Sequence, residues 1–265
     1  MSLIVTVWVN EGIVMGSDSR ISFSSQLIPN LPLNIQTGHY FDTQEKTFSC
    51  PNNCGISTCG AASILGKNIT GYIYNYINTQ VATTTSVDDT ATNLKSYIDS
   101  IDPNTEVHFI VAGYNTDSTG QLIQKVYFIQ TGTNGVVKLI SNNANSVGAK
   151  WDGEIDTITR IVKQQFTCTS PIDVPNLSLT DQNGNPINIG DSFVLPKNQT
   201  LILNENRIVW NLMTLQDAID FVRYAINTTI ETMRFTNVSK TVGGPVDILV
   251  IKPNKTQWIA HKKLH

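Results

Sequence analysis

The chain has 265 residues, 40% hydrophobic and 15% charged, which is enough apolar material for one large core or two modest ones. A formal net charge of −3 provides no global field toward nucleic acid or an anionic membrane. No apolar stretch approaches the roughly 20 residues that a membrane helix needs, and the N-terminus has no charged region followed by an apolar block, so a cytoplasmic protein is expected.

Residues Leu3 to Val9 and Ile13 to Met15 are short, β-branched runs separated by Asn10-Glu11-Gly12, which predicts a hairpin at the very start of the chain. The second run ends in Gly16-Ser17-Asp18-Ser19-Arg20. Residues 21–45 carry Ser, Pro, Asn and Gly without a sustained period, as in Pro29-Asn30-Leu31-Pro32. They predict a long surface loop with room for an edge strand but not a central one. Lys46 to Cys50 and Cys54 to Cys59, around Pro51-Asn52-Asn53, predict a second hairpin. Ala62, Leu65, Ile69, Tyr72-Ile73 and Tyr76 then recur at helical spacing, giving a helix from about Ala61 to Tyr76. A second helix is predicted from Val87 to Ile101, with Ser86 as N-cap, Asp88-Asp89 in its first turn and Pro103 beyond its end.

Strands are predicted over Glu106 to Tyr114, Leu122 to Gln130 and Val136 to Ile140. Ser146-Val147-Gly148-Ala149 then leads into a third predicted helix, with Trp151, Ile155, Ile158, Val162 and Phe166 on one face. Residues 167–211 are loop-rich and contain the turn Asp181-Gln182-Asn183-Gly184-Asn185-Pro186, suggesting an added hairpin or small β-subdomain. A fourth helix runs from Leu215 to Phe235 behind the N-cap Thr214. Gly243-Gly244, a strand from Pro245 to Lys252 and a last strand from Thr256 to Ala260 close the chain. This order suggests an α+β fold: a four-layer αββα sandwich with two antiparallel sheets between helix pairs. One domain spanning 1–265, with an insertion at about 167–211, fits better than two.

Cys50, Cys54, Cys59 and Cys168 do not make a disulfide framework in a chain of this length, and they lack the tight paired spacing of a structural zinc site. His39, His108, His261 and His265 show no metal-ligand spacing. No metal or cofactor is expected. Ser2 is the notable chemical candidate, because removal of Met1 would give one residue both an attacking hydroxyl and a basic amine.

In motif order the chain resembles the N-terminal-nucleophile hydrolases of the proteasome β-subunit and HslV type. The resemblance rests on four stretches: the terminal hydroxyl residue with its hairpin and Gly16-Ser17-Asp18-Ser19-Arg20; Lys46 with the hairpin to Thr58-Cys59-Gly60-Ala61-Ala62; Ser146-Val147-Gly148-Ala149; and Gly243-Gly244 with the strand Val246-Asp247-Ile248-Leu249-Val250-Ile251. It implies Ser2 as nucleophile, Asp18 and Lys46 as a charged pair beneath it, and a backbone N–H at Cys59 or Gly60 as oxyanion donor. It also implies peptide or unfolded-protein substrates and a homo-oligomeric ring, with any ATPase partner unknown, and neither nucleic acid nor membrane as partner. The chain departs from the pattern at Val147, where the family has Ser, and at Ser239, nearest to a family Asp. A catalytically silent ring subunit and a small-molecule amidase of the same superfamily are the alternatives.

Overall fold

The computed structural model describes residues 2–23, 39–143, 146–163, 165–167, 172–175, 179–180, 186–187, 192–195, 200–202 and 208–262. Two compact units emerge, one formed by residues 1–155 and 209–265, the other by residues 156–208.

The larger unit begins with the expected hairpin, β1 (Leu3–Val9) and β2 (Gly12–Ser17), in antiparallel register with Val7 opposite Val14. Every position of both strands is buried. That is why the run Leu-Ile-Val-Thr-Val-Trp-Val scarcely alternates with polar residues: both faces of its sheet are covered. β3 (Ile21–Phe23) pairs with β4 (His39–Phe41), and the rest of the long loop, residues 24–38, lies outside the described residues. β5 (Thr47–Ser49) and β6 (Gly55–Gly60) form the second hairpin, with Thr47 opposite Ser57.

The first helix starts later than its periodicity suggests. Residues 61–68 instead hold a two-rung hairpin, β7 (Ser63–Ile64) with β8 (Lys67–Asn68), and α1 spans Ile69–Gln80. Leu65 and Gly66 both take positive φ, 47° and 74°, which ends any helical run there. Asn68 caps α1 by accepting from the Thr70 amide at 2.8 Å. The second helix, α2 (Val87–Ile101), has the expected bounds, and Ser86 accepts from the Asp89 amide at 3.0 Å. β9 (Val107–Thr116), β10 (Leu122–Gln130) and β11 (Val137–Asn142) follow.

Residues 148–153 are then a strand, β12 (Gly148–Gly153), and not the opening of the third helix. It pairs with β1, Ile4 opposite Asp152 and Val7 opposite Ala149. Gly153 at φ 94° closes the strand in a conformation no helix passes through, and a Cβ there would lie 1.9 Å from the Ser2 carbonyl oxygen.

In the smaller unit, α3 (Asp156–Lys163) ends before Phe166, which belongs to a strand. The strands β13 (Gln165–Thr167), β14 (Ile172–Pro175), β15 (Leu179–Thr180), β16 (Pro186–Ile187), β17 (Ser192–Leu195) and β18 (Thr200–Ile202) pair as β13–β18, β14–β17 and β15–β16. These are nested rungs of an antiparallel hairpin. Residues 181–185 of the expected turn lie outside the described residues.

The chain returns to the larger unit through α4 (Leu215–Phe235), whose capping box joins Thr214 and Asp217, and ends in β19 (Asp247–Lys252) and β20 (Lys255–Ala260). One five-stranded sheet has the order β12-β1-β2-β19-β20 and the other β11-β10-β9-β6-β5; both are antiparallel. The architecture is therefore mixed α and β with antiparallel sheets.

Alternation along the strands assigns the faces. On β9, Val107, Phe109 and Val111 join Ile73 and Tyr76 of α1 and Leu94 and Ile98 of α2 in one apolar cluster. Ile110 and Ala112 join a second cluster with Ile4, Trp8, Met15 and Leu249 from the first sheet. α4 packs on β1, β2 and β19, so closely at Gly16 that an added Cβ would lie 2.3 Å from Val222.

Candidate functional site

Asp18 directly follows β2 and is buried with no solvent exposure. Its Oδ1 accepts from the Leu3 amide at 3.0 Å and from Lys46 Nζ at 2.8 Å. Its Oδ2 accepts from the Arg20 and Gly243 amides, each at 3.0 Å. The carboxylate thus ties the start of β1, the end of β2, the residue before β5 and the segment before β19 to one point. A buried charge is tolerable only when so paired and hydrogen-bonded.

Lys46 is equally buried, and its second bond runs to the Arg20 carbonyl at 2.5 Å. Burial pushes its ammonium below the usual lysine range, and attraction to Asp18 opposes that shift. The lysine therefore stands as a desolvated cation next to a fixed carboxylate.

Ser2 is 7% exposed, and its carbonyl accepts from the Glu154 amide at 2.7 Å. Ser2, Lys46, Thr58, Cys59, Gly60 and Arg20 are among the residues lining one cavity of ≈ 120 Å³. Every site residue expected from the sequence is therefore in a single place: Ser2, Lys46, Cys59 and Gly60 on the cavity wall, Asp18 directly behind Lys46. Gly60 takes φ 99°, which keeps a glycine at the end of β6.

Three contributors lie inside the motifs without a role that the sequence assigns: Arg20, the pair Gly243-Gly244 and Thr58. Arg20 grips Asp42 through two bonds of 2.7 Å and lies 3.8 Å over the Tyr40 ring. The glycines of Gly243-Gly244 are explained by this packing. A Cβ at Gly243 would come within 2.4 Å of the Arg20 guanidinium, and one at Gly244 within 2.8 Å of Asp42. The third is Thr58, a residue of the cavity wall whose hydroxyl is buried with no hydrogen-bond partner among the described residues. Its one signal in the sequence is its place in Thr58-Cys59-Gly60, next to the two amides expected to face an oxyanion.

Val147 and Ser239, where the chain departs from the family pattern, and the strand residue Asp247 lie as follows. Val147 is half-buried next to Ser146, whose Oγ lies 3.4 Å from Trp8 Nε1. Ser239 lies in the loop after α4, and its carbonyl accepts from the Thr241 amide. Asp247 is buried and bound to Lys262 through both side chain and backbone.

No protein-family description matches the chain, and no curated protein does. Among solved structures the chain is similar to "Anbu (ancestral beta-subunit) from Yersinia bercovieri" at 10% sequence identity and a TM-score of 0.50, over 97% of this chain and 86% of that one. At that identity the likeness is one of fold.

Proposed function

We propose that this chain is a proteasome-like N-terminal-nucleophile hydrolase that cleaves amide bonds of peptides through an acyl-enzyme on Ser2. The observation that carries the reading is the buried Asp18–Lys46 pair at a cavity whose wall also holds Ser2, Cys59 and Gly60. After removal of Met1, the Ser2 hydroxyl attacks the carbonyl carbon while its own α-amine takes the proton. A free α-amine has a pKa of roughly 7.7–8.0, suited to a general base near neutrality, and the Lys46 cation shifts it lower. The Cys59 or Gly60 amide stabilises the oxyanion. The amine leaving group departs with the proton, and water then hydrolyses the ester on Ser2. The fold likeness to a protein titled an ancestral β-subunit agrees with this reading.

The finer architecture belongs to the same proposal: an αββα sandwich with α1 and α2 outside one sheet and α4 outside the other, in a single domain bearing residues 156–208 as an insertion. A cytoplasmic homo-oligomeric ring is its expected setting. Among the described residues no helix is long and apolar enough to cross a membrane.

Val147 and Ser239, at the supporting positions, favour a second reading, a silent ring subunit. The experiment separating the two is intact-mass analysis of untagged protein, followed by peptide hydrolysis assays of the parent and of Ser2→Ala. The hydrolase reading expects loss of Met1 and a fall in kcat on the order of 10³-fold or more for Ser2→Ala. Retained Met1, or equal activity of the variant, would overturn it.

A further inference from the structure

Cys59, His108 and Asp152 meet although 44 residues separate the last two. The cause is register. Cys59 and His108 sit directly opposite one another on β6 and β9, so their side chains share a face. On β9 that face is the one carrying Ile110 and Ala112, turned toward the other sheet. Asp152 lies opposite Ile4, another member of the cluster between the sheets, and so points into the same space from β12. Their ligand atoms all lie within 4.8 Å of one another. Asp152 Oδ2 is 3.5 Å from Cys59 Sγ and 2.6 Å from His108 Nδ1.

We propose that Cys59, His108 and Asp152 form a divalent-metal site of the zinc type, with three protein ligands and one open position. Thiolate, imidazole and carboxylate are the donors zinc takes, at about 2.0–2.3 Å, which sets bound atoms roughly 3.3–3.7 Å apart. The Sγ–Oδ2 separation already has that value. The His–Asp contact opens by about 1 Å to admit the ion, a turn within reach of a carboxylate on a half-buried edge strand. The second shell is in place: the other His108 nitrogen, Nε2, lies 2.9 Å from Glu106 Oε1, the carboxylate–histidine arrangement that orients a metal-bound ring. Charge also agrees. Two cations are near: Lys46, held by Asp18, and Lys150, whose ammonium lies 4.6 Å from the Phe128 ring; against them the cluster offers Asp152, Glu106 and a cysteine whose thiol proton leaves to solvent on binding. Cys59 also borders the cavity that Ser2 lines; the metal site uses its side chain, whereas the reading of Ser2 uses only its backbone amide.

The test is titration of reduced, untagged full-length protein with Co²⁺, which reports thiolate coordination as a near-ultraviolet charge-transfer band and tetrahedral geometry in its visible bands. One equivalent with both signatures is expected. Cys59→Ser should abolish the charge-transfer band, Asp152→Asn and His108→Gln should weaken binding at least about tenfold, and Glu106→Gln should weaken it by roughly 10-fold. Cys50→Ala and Cys168→Ser should leave the spectrum unchanged. Far-UV circular dichroism verifies folding; should Cys59→Ser not fold, Asp152→Asn and Glu106→Gln carry the test. Absence of the thiolate band in the parent, as for a plain His–Asp ion pair, would overturn the proposal, and so would its loss in Cys168→Ser or its persistence in Asp152→Asn at parental affinity.

Discussion

Four donors converge on the Asp18 carboxylate: the Leu3, Arg20 and Gly243 amides and the Lys46 ammonium. The two halves of the ion pair are therefore unequal. Replacing Lys46 with Met leaves a carboxylate that still accepts three backbone bonds. Replacing Asp18 with Ala leaves three amides and one buried ammonium without their acceptor. Asp18→Ala is expected to cost about 3–5 kcal/mol, the range for breaking a buried pair, and Lys46→Met less. Urea unfolding of the two variants checks the order; a greater loss for Lys46→Met would contradict it.

At the scale of elements, α4 begins with a reciprocal cap: the Asp217 amide donates to Thr214 Oγ1 at 3.1 Å, and the Thr214 amide donates to Asp217 Oδ2 at 2.8 Å. Bonds from the Thr214 hydroxyl and amide hold the Asp217 carboxyl below its ordinary pKa of 3.8. A carboxyl depressed in the folded state stabilises above its unfolded pKa and ceases to as pH falls through the folded one. Asp217→Asn is accordingly expected to melt lower than the parent at pH 7, with the gap closing as pH drops below that ordinary value. A gap that stays constant along the pH series would rule this out. Caps of this kind are also what made α2 and α4 legible: Ser86 and Thr214 are local signals, and both helices have the bounds those residues predict. Asn10-Glu11-Gly12 is equally local and marks the first hairpin.

The first helix is cut short by the turn at Leu65-Gly66, and the third is misplaced for a different reason. Trp151, Ile155, Ile158, Val162 and Phe166 fit a helix by spacing, yet they fall in a strand, a link, a helix and another strand. The pairing of Trp151 with Val5 decides that, and no residue near Trp151 announces it. Asp18 and Lys46 were legible because each sits in a recognisable motif. The meeting of His108 with Asp152 was not, because it depends on the register of strands in two different sheets.

In the whole molecule the ladders differ greatly in size. β9 pairs along much of its length with β10 on one side and β6 on the other, and most of it is buried. The pairs in residues 156–208 have two to four rungs each. Opening such a short ladder exposes little apolar surface, so its amides are expected to exchange hydrogen well before those of Phe109 to Ala112. Exchange followed by mass spectrometry tests this, and equal protection of residues 172–195 and 107–116 would refute it.

The position of β1 inside its sheet bears on how the chain is made. Its neighbours are β2, an immediate successor, and β12, from residues 148–153; β2 in turn needs β19, from residues 247–252. The other five-stranded sheet draws on residues 47–142 alone and can close while synthesis continues. β2 is thus paired on one side at once and on the other only by a strand more than about two hundred residues later, and loop closure over that length makes the step slow. Since the Gly243 amide is one of the donors to Asp18, that carboxylate reaches its final surroundings only after residue 243 has joined it. The cavity's own lining falls between Ser2 and Ile69, so the late segment at Gly243 completes the carboxylate behind the cavity and leaves the wall itself to the early part of the fold.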